Sequence, residues 1–189
     1  MDRGELLRRY AAGERDFAGA QLREAELERV ELRGINLQEA DLICANLDGA
    51  NLDGADLRRA NLRGARFRGA TLSKANLTNT DLKWANLSHA GLIGTDLTES
   101  NLEEAILIHA RLVQANLTRT NLIGANLTNA NLMGAEMFNT LLEFADLTEV
   151  NLKDARYFGV AVNNHLQGTL FQNTVMPDGS IEVGPKAWI

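Results

Sequence analysis

Ala50-Asn51-Leu52-Asp53-Gly54, Ala60-Asn61-Leu62-Arg63-Gly64 and Ala125-Asn126-Leu127-Thr128-Asn129 are copies of one five-residue unit, and leucine returns at its third place from Leu22 to Leu152 with almost no lapse. Five residues along an α-helix turn about 140°, which would scatter the leucines around the cylinder. In a flat strand an odd step sends successive leucines to opposite faces. A chain that buries all of them must therefore bend once per unit, as a three-residue strand-like segment followed by a corner. Ala and Leu, two residues apart, share the inward face.

From Ala20-Gln21-Leu22 to Ala155-Arg156-Tyr157 the frame runs through 28 pentads without an insertion. The third residue is Leu in 25 of them, Phe67, Met137 and Tyr157 being the departures, and the first is Ala in 20, so the inner wall stays narrow. The remaining first residues (Val30, Ile35, Thr80, Thr95, Ser100, Thr120, Thr140 and Val150) are small or β-branched. Arg15-Asp16-Phe17 and Val160-Ala161-Val162 keep the frame with altered inner residues, as the ends of a solenoid would. The second place is mostly Asn or Asp, short side chains that bond to nearby backbone beside a corner.

This Ala-(Asn/Asp)-Leu-X-X pattern over residues 15–162 resembles the pentapeptide-repeat family. The resemblance implies an all-β fold, a right-handed quadrilateral β-helix with four pentads per coil, hence about seven coils and a rod roughly 34 Å tall at the usual strand spacing. The opening Tyr10–Phe17 and the ending Thr174–Ser180 resemble those of cyanobacterial members.

A stack of coils leaves an apolar disc and open edges at each end. Residues 4–12 are predicted to form a short amphipathic helix presenting Leu6, Leu7 and Tyr10, with Gly13 as its stop, so that residues 1–14 form an N-terminal helical cap. Residues 15–162 are the β-helix. After Val162 the frame breaks at Asn163–Gly168 and resumes one residue out of phase, with Phe171 and Met176 inward. Pro177-Asp178-Gly179 then signals a turn before a strand-like tail that ends in Trp188-Ile189, so residues 163–189 are read as a C-terminal cap.

Catalytic patterns are missing from the chain: there is no phosphate loop, zincin helix, nucleophile elbow or calcium loop, and the reading is a non-enzymatic protein without a cofactor. Cys44, the single cysteine, falls at an outward fifth place and is read as a bystander thiol. His89 and His109, both at fifth places and 20 residues apart, are expected to stack about 5 Å apart. Two imidazoles are too few for a dedicated zinc site, and solvated histidines are the preferred reading. No apolar run approaches the roughly 20 residues of a membrane span, and the start lacks a secretory apolar stretch, so the expectation is a cytoplasmic protein away from the membrane.

Function is therefore sought on the surface. Ile93, Val113 and Met133 follow one another at intervals of 20 in the outward fourth place, with Ile106 and Ile108 nearby, and a contiguous apolar patch marks a partner surface. The expectation is a scaffold, monomer or weak homodimer, that binds another protein and not nucleic acid. The rival is a DNA mimic that inhibits a type II topoisomerase such as gyrase, as some family members do. Net charge −6 permits that reading. Against it, residues 1–70 carry 12 basic and 13 acidic side chains, including Arg58, Arg59, Arg63, Arg66 and Arg68, and residues 71–189 carry 7 and 12. A mimic needs one long negative face to compete for a basic groove.

Overall fold

The unit Ala50–Gly54 accounts for how five residues make both a side and a corner. Leu52 N–H donates to Thr71 O at 2.7 Å, Asn51 N–H to Val30 O at 2.9 Å, and Gly54 N–H to Ser73 O at 2.9 Å, all in neighbouring coils. Ala55 N–H closes the corner on Leu52 O at 2.9 Å, and the Asn51 side chain accepts from Asp53 N–H at 3.2 Å. Every N–H from Asn51 to Ala55 is thereby satisfied, which a chain without longer strands requires. The fifth residue of every pentad from Gly19 to Asp154 has φ between 53° and 67°. That positive φ at the second central residue of Leu-X-X-Ala is the mark of a type II turn.

The structure is a computed structural model that describes residues 1–157, 168–182 and 186–187. Parallel bridges join Asp16 to Asn36, Asn51 to Thr71, Asn101 to Asn121 and so on to Glu136 and Arg156, always 20 residues apart. A coil of 20 residues thus has four sides. The first side holds the pentads that start at residues 20, 40, 60 and onward. The second starts at 25, the third at 30 and the fourth at 35. The chain is a repeat solenoid whose core is one continuous file of buried Ala and Leu, from Phe17 to Ala155. Each fully buried leucine contributes about 2 kcal/mol of transfer free energy, offset by the entropy of ordering its unit.

Polar residues inside the wall are satisfied. The hydroxyls of Thr95, Thr120 and Thr140 each donate to the carbonyl of the leucine 23 residues earlier (Leu72, Leu97 and Leu117) at 2.8 Å. At Arg66 and Thr71 the second place lacks an Asn or Asp oxygen, and the coil before supplies one: Asp48 accepts from Arg68 N–H at 2.8 Å and Asp53 from Ser73 N–H at 2.9 Å. The Asp-Gly pairs at 48–49 and 53–54 therefore serve the next coil as well as their own corners.

Helix α1, Arg3–Ala11, begins and ends one residue earlier than the sequence reading, because Asp2 is its N-cap and accepts from Glu5 N–H at 2.7 Å. Leu6 is fully buried against the core, Leu7 and Tyr10 pack beside it, and the Tyr10 hydroxyl donates to Arg33 O at 2.8 Å. At the other end, strands β1 (Leu170–Phe171) and β2 (Thr174–Val175) continue the ladder with a slip: Leu170 bridges Asp146 and Val175 bridges Asn151, 24 residues apart. Phe171 is buried and Met176 packs against the core. Past the Pro177-Asp178-Gly179 turn, β3 (Ile181–Glu182) pairs antiparallel with β2, and β4 (Lys186–Ala187) with β1. The unit Val160-Ala161-Val162, the break at 163–167 and the terminal Trp188-Ile189 lie outside the described residues.

Candidate interaction surface

The fourth residue of a pentad is the first central residue of its turn, so its side chain stands outside a corner. Gly94 N–H donates to Val113 O at 2.9 Å and Gln114 N–H to Met133 O at 3.0 Å, which holds Ile93, Val113 and Met133 in file on the corner between the third and fourth sides. Met133 is 39% exposed and Ile93 and Val113 are half-buried. Ile106, 38% exposed, lies in mid-side on the second side, bridged to Asn86 and Asn126, and Ile108 is on the corner that follows it. The five residues form two groups on adjacent sides. Between them stand exposed Arg111 and, one coil earlier, Gly91.

The corner at Ile108 also carries the histidines. His89 and His109 are exposed and stacked, with ring centroids 5.0 Å apart and planes at 23°. Earlier in the same column Gly49 and Gly69 leave an open groove of about 400 Å³ lined by Arg29, Arg68 and His89 and by the carboxylates of Glu28 and Asp48. Among the described residues no group of three or more His, Cys, Asp or Glu is placed to hold a metal ion, and Cys44 is exposed.

The arginines of 58–68 are mostly matched by acids. Arg58 pairs with Asp56 at 2.7 Å, Arg59 with Glu39 at 3.5 Å, Arg63 with Asp81 at 3.2 Å, and Arg66 with Asp48. Hydrogen bonds from the Arg58 guanidinium hold the Asp56 carboxyl below the usual carboxylate range, against the opposing effect of desolvation.

Two exposed aromatics escape a reading based on the fourth place alone. Trp84 and Phe144, 48% and 64% exposed, occupy fifth places of the first side. The Trp84 ring lies 4.8 Å from the Arg63 guanidinium and 4.7 Å from the Lys83 ammonium, and its N–H donates to Glu104 at 3.1 Å. Phe144 rests on Gly168. Their signal in the sequence is a large aromatic where the period calls for Gly or a polar residue.

The pentapeptide-repeats family (8 copies) matches residues 16–54, 50–88, 80–119 and 115–154, nearly all of the 20-residue ladder. The chain belongs to the pentapeptide-repeat family. Solved structures similar to this pentapeptide-repeat protein include HetL, involved in heterocyst differentiation regulation in the cyanobacterium Nostoc sp. strain PCC 7120. It is 28% identical, covering 96% of this chain and 100% of HetL, with a TM-score of 0.41. AT2G44920, from the Arabidopsis thaliana thylakoid lumen, is 28% identical over 59% of this chain and 70% of its own, with a TM-score of 0.38. QnrB1, a plasmid-mediated fluoroquinolone resistance protein, is 19% identical over 85% and 88%, with a TM-score of 0.36. Superpositions this loose transfer no function. No curated protein matches the pentapeptide-repeat chain. Among its described residues, no helix is long and apolar enough to cross a membrane.

Proposed function

We propose that this pentapeptide-repeat protein is a non-enzymatic scaffold that binds another protein through the corner carrying Ile93, Val113 and Met133, with Ile106 and Ile108 on the adjoining side. The proposal includes the finer architecture: a right-handed quadrilateral β-helix of about seven coils over residues 15–162, with residues 1–14 and 163–189 covering its ends, working in the cytoplasm as a monomer or weak homodimer. The observation that carries it is the exposure of Met133 and Ile106 beside half-buried Ile93 and Val113 on consecutive coils. A strip of that size offers several kcal/mol before association costs, enough for a transient contact. Val113→Lys should leave the melting temperature unchanged and abolish partner capture or self-association. Undiminished binding in that variant, with loss on deletion of residues 180–189, moves the interface to the C-terminal end.

A second reading, inhibition of a type II topoisomerase by DNA mimicry, draws on Asp96, Glu99, Glu103 and Glu104, which gather on the fourth side of one coil and the first side of the next. Lys83 and Arg119 neutralise two of the four, Glu103 at 2.8 Å and Glu99 at 2.9 Å, which leaves no long negative face. A gyrase supercoiling assay separates the readings, and inhibition that survives Val113→Lys supports the mimic.

A further inference from the structure

Sorted by side, the charges of this acidic chain are segregated. On the second and third sides, residues 66–74, 86–94, 106–114 and 126–134 contain no Asp or Glu, although the chain has 25. The intervening first and fourth sides of the same coils carry Asp81, Asp96, Glu99, Glu103, Glu104, Glu136 and Glu143. On the carboxylate-free sides only Arg66 is neutralised by a described residue, Asp48 of the preceding coil. The side chains of Arg68, Lys74 and Arg111 form no ion pair or hydrogen bond with any described residue.

The backbone adds to the same polarity. The N–H at the fourth place is in most pentads from Asn36 onward capped by an Asn or Asp two residues earlier, as Met133 N–H is by Asn131 at 3.1 Å, and at Arg68 and Ser73 by Asp48 and Asp53 of the preceding coil. Gly91, Ile106 and Arg111 stand at that capping place and offer no oxygen, so the N–H groups of Ile93, Ile108 and Val113 find no protein acceptor among the described residues. Three cationic side chains, three free N–H donors and five apolar side chains therefore share two adjacent sides with no carboxylate among them. A surface of this kind attracts negative charge and rewards apolar burial together.

We infer that the second and third sides between residues 66 and 134 bind an acidic polypeptide segment of a partner protein, one with apolar side chains interspersed among its carboxylates. The inference rests on the protein-binding reading above and gives that partner its chemistry. Duplex nucleic acid fits less well. It presents about one charge per 1.7 Å, whereas three free cations on two of four coils stacked at about 4.8 Å spacing, interrupted by isoleucine, valine and methionine, are too sparse to match it.

The test is fluorescence anisotropy on the full chain with three labelled probes: a short peptide alternating Glu with Leu, its Gln-for-Glu counterpart, and duplex DNA. The Glu peptide should bind about tenfold tighter than the Gln peptide and weaken as salt is added. Lys74→Glu combined with Arg111→Glu should remove that tenfold advantage with unchanged melting, while Arg59→Glu on the fourth side should not. Equal binding of the two peptides, both lost in Val113→Lys, overturns the acidic preference and leaves the protein-binding corner standing. Undiminished Glu-peptide binding in the double variant, or tighter binding of DNA, overturns the inference. Failure of both peptides to bind overturns it together with the reading it rests on.

Discussion

Leu107 is fully buried, with its N–H bonded to Asn126 O at 2.7 Å, and no group near it in the file of leucines and alanines can pair with an ion. Leu107→Asp is expected to unfold the rod, because an unpaired buried carboxylate costs several kcal/mol against a total stability of about 5–15. A circular-dichroism melt within two or three degrees of wild type, read as roughly the effect of a neutral surface change, contradicts the inward assignment. Asn116→Ser, which loses the oxygen that accepts from Thr118 N–H at 3.1 Å, should cost only about 1 kcal/mol, since a serine hydroxyl imitates that bond weakly. At this scale the sequence was almost fully legible, because each place in the pentad has one physical job. What stayed hidden was the backbone of the fifth place. Glycine there announces a left-handed residue, but Glu24, Trp84 and Phe144 take φ of 54°, 62° and 60° under compulsion from the turn and the ladder, and nothing in those residue types signals it.

Helix α1 and the C-terminal strands dock on the repeat but are also held by contacts that the repeat pattern does not contain. Arg9 also reaches Glu5, and its hydrogen bonds to Glu14, through Nε at 2.7 Å, hold the Glu14 carboxyl below the usual carboxylate range against the opposing effect of desolvation. A carboxyl depressed in the folded state adds stability above its unfolded pKa and loses it as pH falls through the folded value. Acid below about pH 4 should therefore loosen α1, seen as faster amide exchange at Leu6, and Glu14→Gln should flatten that dependence. At the other end, a Cβ on Gly168 would meet Phe144 Cδ1 at 2.5 Å, at a φ of +69°. Gly168→Ala should lower the melting temperature, and Phe144→Ala in the same chain should restore part of it, a coupling of about 1 kcal/mol in a double-mutant cycle. The sequence predicted a helix here and a resumed frame with Phe171 inward. It did not reveal that the tail doubles back to pair with β1 and β2, since two-residue strands carry too little pattern to name their partners.

For the whole molecule, the apolar file on the third side was legible as residues 20 apart, but the charge segregation was not. Counts along the chain, 12 basic against 13 acidic in residues 1–70 and 7 against 12 beyond, average over all four sides and cancel what separates them in space. The 20-residue bridge spacing also governs what lengths of this chain are interchangeable. Removing residues 35–54 takes out one full circuit, so every later residue keeps its bearing and, although Asp48 and Asp53 leave with it, the peptide-binding sides from residue 86 to 134 should survive in a shorter rod. Removing only residues 75–79 leaves the leucine file unbroken, yet rotates everything after it by a quarter turn, carrying Arg111 and Val113 away from Lys74. That variant should melt near the wild type and lose preference for the acidic peptide. Inheritance of such a surface is thus quantised: drift in steps of five preserves folding while reshuffling which face each residue looks out from, and only steps of twenty pass the whole surface on unchanged.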